Sequence, residues 1–168
     1  MKLGVFEFVD KASTVIEEKN NEVKLASRYL RTFFMELLKG REELISIRYR
    51  IKSRESIKEK ILRQNYYLRC TEPEDILNIM PDIIGIRIEC RFNDDEGEIF
   101  DEIRQLFNQT EDSTWYYTKE EKDILLDLRA LQPQYQQNGF EIYKIDGKYT
   151  YHGMTINFEL QIKSMVNV

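Results

Sequence analysis

The N-terminal part of the chain has apolar residues at the spacing of two amphipathic helices. Over residues 3–20, apolar positions recur every three or four residues, from Phe6 to Ile16. A second helical pattern begins after Asn20, presents a broad apolar face, and is expected to end near Gly40, because glycine adopts a left-handed helix cap at low cost. Such spacing is typical of helices that pack one face against a core.

The pattern changes to strict alternation over residues 43–52, which predicts a β-strand. One face of this strand is apolar, and the other becomes a row of cations that ends in Arg50 and Lys52. Ser53 is placed to cap the helix that follows. Residues 48–63 contain seven Lys/Arg and two Glu, a local charge of +5 in a chain of net charge −5. Because helix N-termini also attract anions, both polyphosphate binding and a solvated charged face are open interpretations.

Two later strands place charges on otherwise apolar segments. Residues 81–92 predict a buried strand, with Asp82 at its entrance and Arg87 inside it. Charged side chains are rarely buried without a partner, so this pair indicates either a structural ion pair or a functional site. A last strand within 148–163 alternates so that Glu159 points away from the core side chains.

The segment between these strands gives weaker patterns. Residues 123–139 begin with apolar side chains at helical spacing and continue as a polar loop. Asp146-Gly147 predicts a turn between two strands. The order of elements predicts an α+β fold, a mixed β-sheet flanked by helices in a single domain over 1–168, with N-terminal helices at 1–43 and a core at 44–168.

Composition narrows the class of protein. The chain has 168 residues, of which 42% are hydrophobic and 33% charged, as in soluble globular domains. One histidine, His152, and two cysteines exclude a multi-histidine metal site and a cysteine-rich zinc site. No apolar run approaches the roughly 20 residues that span a bilayer, and the N-terminus lacks a secretory signal. We therefore expect a cytoplasmic protein with no membrane partner.

The charged positions together suit phosphoryl transfer. This chemistry needs carboxylates that hold Mg²⁺, cations that offset phosphate charge, and an aligned hydroxyl. Asp82 and Glu159, from separate strands, could bind one Mg²⁺ that keeps several waters, and either could accept the hydroxyl proton.

Four blocks of the sequence, spread over residues 46 to 163, resemble the RelA/SpoT synthetase domain, with the small alarmone synthetases nearest in size. The blocks are Arg50-Ile51-Lys52 with Ser56 and Lys60, Asp82 to Ile88, Asn138-Gly139-Phe140, and Glu159 to Lys163. The resemblance implies a nucleotidyltransferase-like fold and a homo-oligomer. It also implies Mg²⁺-dependent transfer of the β,γ-pyrophosphate of ATP to the ribose 3′-hydroxyl of GDP or GTP, the (p)ppGpp synthesis of the stringent response.

The resemblance also implies roles on the donor side. Arg50 and Arg87 would sandwich the adenine, a use that suits a planar guanidinium. Asp82 would hold Mg²⁺, and Glu159 would complete the metal site or activate the 3′-hydroxyl. The implied ligands of the ATP phosphates are Lys52, Ser56 and Lys60.

The acceptor side departs from the family pattern. The implied acceptor-binding residues are Phe140, Lys144, Gln161 and Lys163. The family loop has Asn-Gly-Tyr-Arg-Ser-x-His, whereas this chain has Phe140, Glu141 and Lys144 at the Tyr, Arg and His positions. Three alternatives therefore stay open: a guanosine acceptor, an adenosine nucleotide or tRNA 3′ end as in toxin relatives, and a catalytically inactive nucleotide-binding module. Since the family continues with a further helix, we expect the core at 44–168 to be truncated at its C-terminus.

Overall fold

The computed structural model describes residues 4–92, 95–109, 115–118, 121–129, 134–135 and 141–164. Five α-helices and eight strands alternate along these segments, with two short 3₁₀ turns before the fourth helix. In chain order they are α1 (Val5–Glu18), α2 (Asn20–Leu37), β1 (Ile45–Ile51), α3 (Arg54–Arg63), the 3₁₀ turns Tyr66–Leu68 and Pro73–Asp75, α4 (Ile76–Ile79), β2 (Ile84–Cys90), α5 (Asp95–Leu106), β3 (Asn108–Gln109), β4 (Tyr116–Tyr117), β5 (Ile124–Leu126), β6 (Gln134–Tyr135), β7 (Glu141–Tyr151) and β8 (Met154–Ser164).

The strands form one mixed sheet in the order β1-β2-β8-β7-β5-β4-β3, with β6 beside β7. Strands β2 and β8 pair in parallel, and the other pairs are antiparallel. The predicted α+β fold is confirmed. The parallel pair lies between β1 and β7, so residues distant in sequence meet at the centre of the sheet.

Helices cover one face of the sheet and bury its apolar side chains. Leu30 and Phe34 of α2 are fully buried, and the Phe34 ring packs edge-on against Phe158 of β8 at 6.4 Å. The two N-terminal helices are confirmed, with a break only at Lys19. Gly40 has a φ of 100°, the left-handed conformation that was predicted at the end of the second helix.

Strand β1 has the predicted alternation, and its apolar residues pack against the core. The helix after it is capped as predicted, because the Ser53 hydroxyl accepts a hydrogen bond from the Ser56 N–H at 3.2 Å. Ile57 and Ile61 then bury one face of α3. The N-terminus of α3 is thereby fixed beside the end of β1, where the cation row lies.

Two predictions from local pattern were wrong. Asp146-Gly147 is not a turn but lies in the middle of β7, and the chain reverses instead at His152 and Gly153, which have φ angles of 47° and 80°. Both residues lie in the left-handed region, as a tight hairpin turn requires. The helical spacing that begins at residue 124 is also misleading, because Ile124–Leu126 forms strand β5 against β7.

Within the described segments, no helix is long and apolar enough to cross a membrane.

Candidate active site

The uncovered face of the sheet brings the predicted site residues into two rows across four strands. In one row, Arg50 lies opposite Gly85, and Gly85 lies beside Glu159. In the next row, Arg87 lies beside Gln161. These side chains share a face because they alternate with buried neighbours on each strand. Since Gly85 has no side chain, the row is open at its centre.

Asp82 lies in the turn just before β2 and is held by two lysines. The Lys52 Nζ donates to Asp82 Oδ2 at 3.0 Å, and the Lys60 Nζ donates to Asp82 Oδ1 at 2.8 Å. All three side chains are 15–16% exposed. Lys52 is fixed further by its backbone N–H, which donates to the Ile83 carbonyl at 2.9 Å. Each oxygen of the carboxylate therefore accepts from one ammonium group, and because one carboxylate carries a single negative charge, the triad keeps a net positive charge.

The electrostatics of this triad favour the ionised carboxylate. Burial alone would raise the pKa of Asp82, but the hydrogen bonds and charges of Lys60 and Lys52 outweigh it and hold that pKa below its ordinary value. Asp82 is therefore a carboxylate at neutral pH, available to a cation once the lysines turn to another anion.

A cavity of about 160 Å³ joins the two rows to Asp82. Arg50 and Arg87 line it together with Asp82 and Glu159. Neither arginine forms an ion pair with any described residue, so both guanidinium groups are available to a ligand. Gln161 lines the cavity as well, so the structure brings together five of the residues predicted from sequence.

Ser56 and the predicted acceptor residues are placed less completely. Ser56 is exposed at the start of α3, where its hydroxyl accepts from Ser53 at 3.0 Å. Lys144 lies directly opposite Gln161, whose Nε2 donates to Glu159 Oε1 at 2.7 Å. Lys163 lies further along the same face of β8. Phe140 lies outside the described residues.

The donor atoms of this cavity suit a hard cation. Carboxylates are the ligands that Mg²⁺ prefers, and Mg²⁺ commonly takes only one or two of them together with waters and substrate phosphates. No group of three or more acidic, histidine or cysteine side chains in the described segments could hold a metal without such help. Asp82 and Glu159 would hold Mg²⁺ only in company with a polyphosphate, whose charge Lys52 and Lys60 could share.

Sequence reasoning missed Asp146, which lies directly opposite Glu159 and completes the first row. Partial burial raises its pKa, and the carboxylates of Glu159 and Asp127 raise it further. The Asp146-Gly147 dipeptide has the composition of a turn, so the sequence did not indicate that Asp146 lies within a strand. The reversal at His152 would have disclosed it, because counting back along both strands from that turn pairs Asp146 with Glu159.

Comparisons with known proteins assign a family to this chain. A family model described as a region found in RelA / SpoT proteins matches residues 49–167. A search of curated protein sequences found no match.

Solved structures share the fold at low sequence identity. A GTP pyrophosphokinase family protein from Streptococcus pneumoniae is 21% identical with a TM-score of 0.60, over 89% of this chain and 69% of that one. Small alarmone synthetase 1 from Bacillus subtilis, bound to its product pppGpp, is 21% identical with a TM-score of 0.55, over 84% and 69%. Small alarmone synthetase 2 from Bacillus subtilis is 20% identical with a TM-score of 0.55, over 89% and 72%. The family match covers more than half of the chain and includes both carboxylates of the site, and the chain therefore belongs to the RelA/SpoT family.

Proposed function

We propose that this protein is a Mg²⁺-dependent pyrophosphokinase that transfers the β,γ-pyrophosphate of ATP to the ribose 3′-hydroxyl of GDP or GTP. The observation that carries the proposal is the single cavity that joins two unpaired arginines to two carboxylates, beside two lysines. In a RelA/SpoT family member, this combination supports (p)ppGpp synthesis in the cytoplasm as part of the stringent response.

The donor nucleotide is placed with its adenine in this cavity, which β1 and β2 line, and with its triphosphate directed toward α3. The adenine stacks between the guanidinium planes of Arg50 and Arg87. The triphosphate then extends toward Lys52 and Lys60, which exchange the Asp82 carboxylate for phosphate oxygens. Ser56, at the N-terminus of α3, adds a hydroxyl and free N–H groups to the phosphate site.

The transfer step needs one proton acceptor and an aligned hydroxyl. The acceptor O3′ attacks the β-phosphorus, the bond from this phosphorus to the bridging oxygen of the α-phosphate breaks, and AMP leaves. Glu159 takes the proton of the 3′-hydroxyl. Gln161 keeps the Glu159 carboxylate in position through its 2.7 Å hydrogen bond. Asp82 and Glu159 would hold Mg²⁺, which would supply charge neutralisation on the transferred group.

The acceptor lies over β8 and β7, on the side of Glu159 opposite the adenine. Lys144 and Gln161 face each other there and offer donors to an acceptor nucleotide. A guanosine nucleotide is the acceptor that we propose, in line with the relative that was solved with pppGpp. Lys144 at a position where the family has histidine favours testing adenosine nucleotides and tRNA as second candidates.

The experiment is transfer from γ-labelled ATP with Mg²⁺, with GDP, GTP, ADP, ATP and deacylated tRNA offered in parallel. We expect label on GDP or GTP, and loss of label in Asp82→Asn. Label on tRNA or on an adenosine nucleotide alone would replace the guanosine acceptor and keep the pyrophosphokinase. No label on any acceptor, from a chain that still binds an ATP analogue, would favour the inactive nucleotide-binding module. Sedimentation of the same sample tests the proposed homo-oligomer.

A further inference from the structure

Asp146 has a place in the site that the proposed roles leave unexplained. It lies directly opposite Glu159 on the antiparallel strand β7, on the same face of the sheet. Like charges at directly opposed positions of two strands destabilise the pair. Neither carboxylate forms an ion pair with a described residue, because the nearby Lys60 is engaged by Asp82. The fold therefore tolerates an unfavourable arrangement at this point.

A buried acceptor without a hydrogen-bond partner lies beside Asp146. Asn157 of β8 is 8% exposed, and its Nδ2 donates to the Met80 carbonyl at 3.3 Å. Its Oδ1 is buried and accepts no hydrogen bond from any described residue. Leaving a buried polar atom unpaired is costly, so such an atom points to a missing donor.

Asp146 and Asn157 lie in the wall of the same cavity. Asn157 pairs with Lys148, two residues along the strands from the Asp146–Glu159 pair, so Asp146 and Asn157 are diagonal neighbours on one face. Both line a cavity of about 200 Å³ that Pro81 and Trp115 also line. Since Asp82 follows Pro81 directly, this cavity adjoins the candidate active site. Lys148 also lines this cavity, so a ligand group that enters here meets a cationic donor beside the Asp146 carboxylate and the Asn157 amide. A sugar hydroxyl suits such a mixture, because it can donate to one neighbour and accept from another.

We propose that Asp146 is a specificity-determining residue that accepts a hydrogen bond from the 2′-hydroxyl of the acceptor ribose while Glu159 faces the 3′-hydroxyl. This inference rests on the proposed function and names its acceptor class more closely, as a ribonucleotide. Directly opposed residues on antiparallel strands are about 5 Å apart, so two carboxylates at this spacing can each engage one hydroxyl of a vicinal pair. The orphaned oxygen of Asn157 extends the same polar wall beyond Asp146.

The test compares GDP with 2′-deoxy-GDP, which keeps the 3′-hydroxyl and so can still react. For the wild-type chain we expect kcat/KM to favour GDP by about 10- to 100-fold, the ratio that loss of one hydrogen bond to a charged acceptor gives. Asp146→Ala should lower the GDP value to that of 2′-deoxy-GDP and bring the ratio near one. Asp146→Asn keeps an acceptor oxygen and should restore part of the preference.

The matched control is Asp127→Ala, which removes a carboxylate that also acts on Asp146 electrostatically but does not lie opposite Glu159. It should keep the wild-type ratio.

A readout without turnover is the calorimetric affinity for GDP and 2′-deoxy-GDP in the presence of the unreactive donor analogue AMPCPP, where the same ratios should appear. Equal kcat/KM values for GDP and 2′-deoxy-GDP in the wild-type chain would overturn the proposed role of Asp146 but leave the proposed function standing. Transfer to neither acceptor would overturn the guanosine pyrophosphokinase itself. If the labelled-ATP experiment identifies another acceptor, its ribo and 2′-deoxy forms take the place of these two.

Discussion

Replacing Asp82 by asparagine separates the proposed catalytic role from the structural role of the triad that Asp82 forms with two lysines. The side chain keeps its size and one acceptor oxygen but loses its charge. Lys52 and Lys60, at 3.0 and 2.8 Å, then lose the anion that they share. Because all three side chains are 15–16% exposed, the surrounding water screens this pairing only in part.

The magnitude follows from the two contacts. A hydrogen bond to a charged group contributes about 1.5–3 kcal/mol, and the asparagine oxygen retains part of one such bond. The lysines can turn toward the open cavity and regain hydration, so the cost falls below the roughly 3–5 kcal/mol of a sealed ion pair. We expect the free energy of unfolding to fall by about 1–3 kcal/mol. That is less than the roughly 5–15 kcal/mol of an ordinary domain, so the variant should stay folded.

Two assays check the prediction. Urea unfolding at neutral pH measures the stability loss, and transfer from γ-labelled ATP should fall by a factor of about 10³ or more, because a metal ligand contributes several kcal/mol to transition-state stabilisation. The matched control is Asp10→Asn, which breaks a solvent-exposed pair with Lys58 at 3.1 Å and should cost less than about 1 kcal/mol. A folded Asp82→Asn variant with wild-type turnover would refute the metal assignment, and unchanged stability would refute the structural account of the lysines.

The remaining predictions use the same assays. The difference in the free energy of unfolding between wild type and Asp82→Asn should be at its full value above the ordinary aspartate pKa. It should shrink as the pH falls through the lowered pKa of Asp82 in the folded state, and urea unfolding at several acidic pH values measures this change. Gly147→Ala should lower the free energy of unfolding by about 1–3 kcal/mol, because an added Cβ would overlap the Phe158 ring. Gly85→Ala, whose Cβ meets only ordinary contacts, is its control, while Gly85→Leu should fill the cavity and abolish AMPCPP binding with the fold intact. Arg87→Ala should weaken AMPCPP binding by about tenfold, and Arg87→Lys should not restore it, since an ammonium group does not stack; equal affinity in both variants and wild type would remove Arg87 from the adenine site.

Much of the fold could be predicted because the relevant information is local. Alternation with period two assigned the faces of β1 and β8, and one apolar face with helical spacing located α1 and α2. The errors arose where packing in the sheet overrode the preference of the local sequence. Asp146-Gly147 has the composition of a tight turn, but Gly147 lies opposite Phe158, whose ring occupies the space that a side chain would need. The strand therefore continues, and the turn forms at His152, where the local sequence is a weaker turn signal.

The candidate site shows the same division between local pattern and register. Asp82 and Glu159 could be identified from sequence, because a carboxylate beside or within an apolar strand is conspicuous without any knowledge of its neighbours. Their meeting in one cavity could not be derived from pattern, since it depends on the parallel pairing of Gly85 with Glu159. Asp146 depends on register more strongly still. Its own segment does not distinguish it as a candidate site residue, and its position opposite Glu159 follows only from the register of the hairpin. A charged residue in an apolar segment can be noticed from the sequence of one strand. A charged residue that lies opposite a like charge can be noticed only when the pairing of the strands is known. For this reason the candidate residues of the donor side could be named from sequence, while the residue that we propose to select the acceptor ribose could not.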